Sequence, residues 1–115
     1  MHEMSICMGI VESLENTAKE NNYLAIDEIW LEIGPFSGVE IQAIEFCFDL
    51  AVKGSIANAA KLNITQTKGS AWCLNCNEAV DIKERYEVCP KCSNYKLNIT
   101  QGDELRIKQI SIREE

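Results

Sequence analysis

Two Cys-x-x-Cys pairs, Cys73-Leu-Asn-Cys76 and Cys89-Pro-Lys-Cys92, are separated by twelve residues in a stretch without a long apolar run. A Cys-x-x-Cys turn bends the backbone so that both sulfurs point the same way. Two such turns offer four thiolates, the donor set of a tetrahedral zinc site. Iron in a four-sulfur site, paired disulfides and a redox dithiol are the other chemistries open to these residues. Disulfides need an oxidising compartment, and the chain opens without a charged-then-apolar leader, so a cytoplasmic location is expected. A redox dithiol explains one pair and leaves the other without a purpose. Four protein sulfurs leave no position for water or substrate, which predicts a structural metal rather than a catalytic one.

With 115 residues there is room for one domain, or for a small domain plus a metal-held module. The hydrophobic fraction of 46% is that of a folded protein. No apolar run approaches the roughly 18 residues that span a membrane. Charge is unevenly spread. Residues 1–67 carry three Lys/Arg against ten Asp/Glu, whereas 68–103 carry five of each and 104–115 three of each. A zinc with four thiolates would add about -2 to the middle segment. Nothing supplies the basic surface of a nucleic-acid binder. The acidic first half suits metal cations or a basic protein patch.

Along the chain, Ser5 is expected to cap a helix running to Asn21, with Ile6, Cys7, Ile10, Val11, Leu14 and Ala18 on one face. Ile29, Leu31 and Ile33 alternate with Glu28, Trp30 and Glu32 in a strand from Ala25 to Ile33. Gly34-Pro35-Phe36-Ser37-Gly38 forms a turn, with Ser37 or Gly38 near the start of a second helix over Val39–Lys53. Its apolar face includes Ala43, Ile44, Cys47, Phe48, Leu50 and Ala51, widened by Phe46. Cys7 and Cys47 are read as core residues rather than ligands. A strand covers Lys61–Thr67. Short strands Ser70–Cys73, Glu78–Ile82 and Tyr95–Thr100 surround the cysteines, with Trp72, Val80 and Tyr86 as the small core over them. The last strand, Glu104–Ile112, changes phase near Lys108-Gln109 and returns to the first sheet. The expected fold class is therefore α+β. Two helices pack on a small three-stranded sheet formed by 1–67 and completed by 104–115, with a four-cysteine, zinc-ribbon-like module inserted at 68–103.

His2 is the only histidine. It is too large a second residue for removal of the initiator methionine, so the free amine is expected on Met1. That amine, the deprotonated amide nitrogen of His2 and its imidazole can form fused chelate rings. The amide nitrogen or carboxylate of Glu3 can fill a fourth position. In-plane nitrogen donors suit Ni²⁺ or Cu²⁺, and the imidazole must be neutral to bind. Read from spacing alone, a histidine at position 2 is more simply an exposed terminal side chain.

Met1-His2-Glu3-Met4-Ser5, then Ile33-Gly34-Pro35-Phe36-Ser37-Gly38-Val39-Glu40, then the two cysteine pairs closely resemble, in this order, the HypA (HybF) family. The resemblance covers the whole chain, and Met-His-Glu at the start is its most specific piece. It implies a nickel metallochaperone for [NiFe]-hydrogenase maturation and, in some bacteria, urease maturation. It implies that His2 is the nickel ligand, with Met1 and Glu3 beside it. Glu40 corresponds to an acidic residue near the nickel, and Cys73, Cys76, Cys89 and Cys92 to the zinc ligands. No histidine flanks either cysteine pair here, unlike in some relatives. The implied partners are a HypB-type GTPase and the hydrogenase large-subunit precursor. A homodimer is among the assemblies the chain permits. The rival reading is a zinc-ribbon interaction or transcription-associated module with no nickel role. An enzyme is not expected: the chain has no P-loop, no serine elbow and no His-Glu-x-x-His.

Overall fold

A computed structural model describes residues 2–114. The first helix, α1, spans Glu3–Asn21 and buries Cys7, Leu14 and Ala18 at helical spacing. It starts ahead of the expected cap. His2 is the N-cap residue, its carbonyl accepting the Ile6 N–H at 3.0 Å, and no side chain caps the end. Ser5 therefore sits inside the first turn, and Glu3 supplies the negative charge that favours a helix N-terminus. Asn22 closes the helix in the left-handed conformation, at φ 58°.

Strand β1 (Ala25–Ile33) buries Ile26, Ile29, Leu31 and Ile33. Helix α2 runs Ile41–Ala51, shorter at both ends than the hydrophobic pattern predicts. Glu40 sets its start by accepting the Ala43 N–H at 3.0 Å, while the Ser37 hydroxyl turns back to the Gly34 carbonyl at 2.8 Å. Ile44 and Phe48 are buried, but Cys47 is only half-buried and Phe46 is exposed, so the inward face is narrower than expected. The Cys7 thiol is fully buried against α2, donating to the Ile44 carbonyl at 3.6 Å. Burial, with Cys47 and Glu3 nearby, pushes its pKa up to about 11. Cys7 thus lacks the exposed, electropositive setting of a reactive thiol.

Two sheets follow. Strands β2 (Lys61–Gln66) and β6 (Leu105–Arg113) flank β1 in the order β2-β1-β6. In β6 the adjacent residues Lys108 and Gln109 are both exposed, which interrupts the alternation. The second sheet consists of β3 (Ser70–Cys73), β4 (Glu78–Asp81) and β5 (Leu97–Gln101), ordered β4-β3-β5 and antiparallel throughout. The fold is α+β: two helices with two small three-stranded sheets. No described helix is long and apolar enough to cross a membrane.

The chain divides into two compact units. One comprises Met1–Leu31, Val39–Ile64 and Ile107–Glu115, the other Glu32–Gly38 and Thr65–Arg106. The second unit has its own core of Phe36, Ala71, Cys73, Val80, Ile82 and Cys89, with Leu97 and Ile99 packed against it. Phe36 takes the place that Trp72 and Tyr86 were expected to fill. Trp72 alternates with the inward-facing Ala71 and Cys73 and so points outward, and Tyr86 is 93% exposed. The Phe36 N–H bonds to the Gly102 carbonyl at 2.8 Å, and the Arg85 guanidinium lies 5.6 Å from the ring centre. A Cβ on Gly102, which has φ +126°, would collide with the Phe36 ring, so only glycine fits there.

Candidate metal centres

Each cysteine pair is held by the same local construction. In the first, the Asn77 N–H bonds back to the Cys73 carbonyl at 2.8 Å, with Asn77 at φ 54°, and the Cys76 N–H points at the Cys73 sulfur at 3.3 Å. In the second, the Ser93 N–H bonds to the Cys89 carbonyl at 2.8 Å, with Ser93 at φ 62°, and the Lys91 N–H points at the Cys89 sulfur at 3.4 Å. Both turns need a left-handed residue, supplied once by asparagine and once by serine. Cys73 ends β3 and is buried, as is Cys89; Cys76 and Cys92 are half-buried. A Lys91–Glu78 ion pair links the two turns, and the carboxylate raises the lysine pKa.

All four sulfurs lie within 4.8 Å of one another, with Cys73–Cys92 at 3.6 Å and Cys76–Cys89 at 4.0 Å. A tetrahedron with metal–sulfur bonds of about 2.3 Å has edges of about 3.8 Å, so the spacing fits zinc. It does not fit disulfides, which need about 2.05 Å, and all six cysteines are free. The proton chemistry points the same way. Hydrogen bonds, first from the Asn75 side chain and then from the Asn94 backbone, lower the Cys92 pKa to about 6. Cys76 is driven up to about 12, first by its hydrogen bond with Cys92 and then by desolvation. Like charges this close cannot all ionise unless a cation joins them, and a divalent metal would do so. The donor set and the closed geometry suit a metal such as zinc.

The N-terminal candidates are arranged differently. His2 is exposed at the mouth of α1. Glu3 is half-buried, and its Oε2 accepts the Glu40 backbone N–H at 3.3 Å. Desolvation opposes the charge on Glu3. Hydrogen bonds from its own N–H and that of Glu40, with His2 nearby, nevertheless hold its pKa below the ordinary carboxylate value. The structure thus brings Glu3 against the main chain of Glu40, thirty-seven residues away. The Glu40 carboxylate itself is engaged as the cap of α2. Met1 lies outside the described residues. Among the described residues, the four cysteines form the only group of three or more potential ligands that converges. Sequence reasoning placed Glu40 near Glu3 only through the family resemblance, without the hydrogen bond that joins them, and missed the role of Phe36, because both depend on contacts between distant segments.

The family model for hydrogenase/urease nickel incorporation, metallochaperone, hypA matches residues 1–112. The chain is 47% identical over 112 residues to hydrogenase maturation factor HypA of Azotobacter chroococcum mcd 1, covering 97% of this chain and 99% of that protein. It is 46% identical to the factor of the same name from Azotobacter vinelandii, with the same coverage. Among solved structures it resembles the solution structure of the Ni metallochaperone HypA from Helicobacter pylori. That match has a TM-score of 0.73 and 27% identity and covers 100% of both chains.

Proposed function

This chain belongs to the HypA family, and on that premise we propose that it is a nickel metallochaperone carrying Ni²⁺ during [NiFe]-hydrogenase maturation. The matched family is one of nickel incorporation, so the zinc-ribbon reading without a nickel role is set aside. Nickel is the cargo. It binds through the Met1 amine, the His2 amide nitrogen and the His2 imidazole, with Glu3 beside them and Glu40 adjacent. Nitrogen donors in a plane favour Ni²⁺ over harder cations. Zinc, held by Cys73, Cys76, Cys89 and Cys92, is structural and keeps its module folded. The nickel-handling part is 1–67, completed by 104–115, and the zinc module is 68–103. The protein is not an enzyme. It works in the cytoplasm, receives or exchanges nickel with a HypB-type GTPase, and acts on the hydrogenase large-subunit precursor.

The observation that carries the nickel site is the mounting of Glu3. Its carboxylate is pinned at the start of α1 by the Glu40 N–H, directly beside the only imidazole in the chain. This fixes an acidic anchor next to an exposed, exchangeable ligand, which suits a cargo that must leave. Nickel titration of untagged protein tests the proposal. His2→Ala should abolish the nickel site while leaving zinc content and fold intact. A His2→Ala protein that binds nickel like the wild type would overturn it.

A further inference from the structure

At one end of the second sheet two lysines face each other. Strands β3 and β4 pair with Ser70 opposite Asp81, and the Ile82 N–H extends the ladder to the Gly69 carbonyl at 3.0 Å. One step further, the same register sets Lys68 opposite Lys83. Like charges directly opposite one another on paired strands are unfavourable. Neither lysine has a carboxylate partner. Among the described residues the ion pairs of this unit are Arg85–Asp103, Lys91–Glu78 and Arg106–Glu32.

Both lysines border a cavity of about 440 Å³ whose apolar walls come from Pro35, Ile82 and Pro90. Asp81 and Glu87 also line it, but the two carboxylates are placed differently. The Glu87 Oε2 accepts the N–H groups of Lys83 and Glu84 at 2.8 and 3.1 Å, so the turn after β4 already holds one anion. Asp81 forms no ion pair. The charged side chains left without partners are therefore two cations and one anion. The main chain beside them is open as well. Strand β4 is an outer strand, and the Ile82 N–H turns toward β3, so by the alternation of antiparallel pairing Asp81 turns its N–H and C=O to the open side. Such an edge accepts an extended chain, main-chain bonds supplying affinity and side-chain pockets supplying selectivity.

We propose that this corner of the second unit is a docking site for an extended segment of a partner protein in which an acidic residue is followed by a large aliphatic one. Successive side chains of an extended chain point to opposite faces. An aspartate-leucine step can therefore set its carboxylate beside Lys68 and Lys83 and its aliphatic side chain against Ile82 and the two prolines. One carboxylate balances the excess of cation over anion. A phosphate dianion would overshoot it and meet Asp81. The net charge of -7 on the whole chain opposes an acidic partner. Beyond about 8 Å at physiological ionic strength that repulsion is screened, whereas the two lysines act at contact.

Proton–nitrogen NMR titration of the zinc-loaded full chain with the blocked peptide acetyl-Ser-Asp-Leu-Ser-amide tests the site without nickel, so its outcome is independent of the nickel reading. Binding with a Kd of about 1 mM is expected, with shifts concentrated at the amides of Gly69, Asp81 and Ile82. Asparagine in place of the aspartate, or alanine in place of the leucine, should each weaken binding about tenfold. K68E/K83E should lose the aspartyl peptide and bind acetyl-Ser-Lys-Leu-Ser-amide about tenfold better than the wild type does. Both positions are exposed, and retained zinc content reports that the variant has folded. An absence of shifts up to about 10 mM peptide would overturn the proposal. So would equal binding of the asparagine peptide, or unchanged binding of the aspartyl peptide by K68E/K83E. Isovalerate binding as tightly as the peptide would also overturn it, by making the cavity a site for small acids.

Discussion

At the cysteine cluster the chain supplies four sulfurs within 4.8 Å of one another, positioned by two hydrogen-bonded turns. At the start of α1 it supplies one exposed imidazole and one carboxylate pinned to a distant main chain. The two regions pose opposite problems to a metal. A closed tetrahedron of thiolates has no position through which an incoming ligand can displace the ion, whereas an exposed N-terminal chelate is open to a competing ligand. On the proposed reading, the same chain would retain one metal and pass on another, and the difference would lie in donor number and closure.

The largest effect is expected at Cys76. Cys76→Ser should drop zinc from one per chain to substoichiometric and unfold the surrounding sheet. The binding free energy of a structural zinc, about 10–16 kcal/mol in small zinc peptides, is also folding free energy. Helix content from α1 and α2 should persist, as far-ultraviolet circular dichroism with metal analysis would show. Full zinc retention would break the contrast by removing the four-sulfur site. Phe36→Ala comes next. Phe36 is 92% shielded from solvent in a core of six buried residues, and its loss should cost about 3–5 kcal/mol. Zinc loss to a chelator should accelerate while nickel stoichiometry stays the same.

How much of this was legible in the sequence depends on how local each feature is. The cysteine knuckles are set by spacing within four residues, and the structure places all four sulfurs together. The helices and strands followed from apolar periodicity, and β1 and the end of α1 fall where expected, but the helix starts do not. Ser5 looked like a cap, yet α1 begins at Glu3; Ser37 and Gly38 looked like a start, yet Glu40 caps α2. Caps are decided by which side chain reaches an unpaired N–H, which a pattern of hydrophobic residues does not encode. The filling of the second core by Phe36 was hidden for another reason. It depends on space left by Gly69 and Gly102, thirty-three and sixty-six residues downstream of Phe36. Phe46 read as inward because it adjoins an apolar stripe, but α2 buries only Ile44 and Phe48 completely.

Smaller effects sharpen the contrast. Glu40→Ala removes the cap of α2 and should cost about 1 kcal/mol in urea unfolding. It should weaken nickel binding far less than His2→Ala, since its carboxylate is engaged with Ala43. The smallest effect concerns acid. The Thr67 hydroxyl first, then the backbone N–H groups of Glu104 and Gly102, hold the Glu104 carboxyl below its ordinary value of 4.5. The ionised form therefore stabilises the turn at higher pH, and this contribution disappears as pH falls through the lowered pKa. Glu104→Gln should remove that acid-dependent step from the urea midpoint as pH falls below the ordinary carboxylate value and through the lowered one, leaving nickel binding unchanged.

The central claim, that cargo nickel is held by the N-terminal chelate and not by side chains elsewhere, is tested most directly by inserting one residue ahead of Met1. The insertion keeps every side chain and moves only the amine. Nickel titration with absorption spectroscopy should show a yellow, diamagnetic species in the untagged protein, as expected for planar nitrogen ligation. That species should be lost or strongly weakened in the extended protein at unchanged zinc content. Equal affinity and identical spectra for the two proteins would contradict the account.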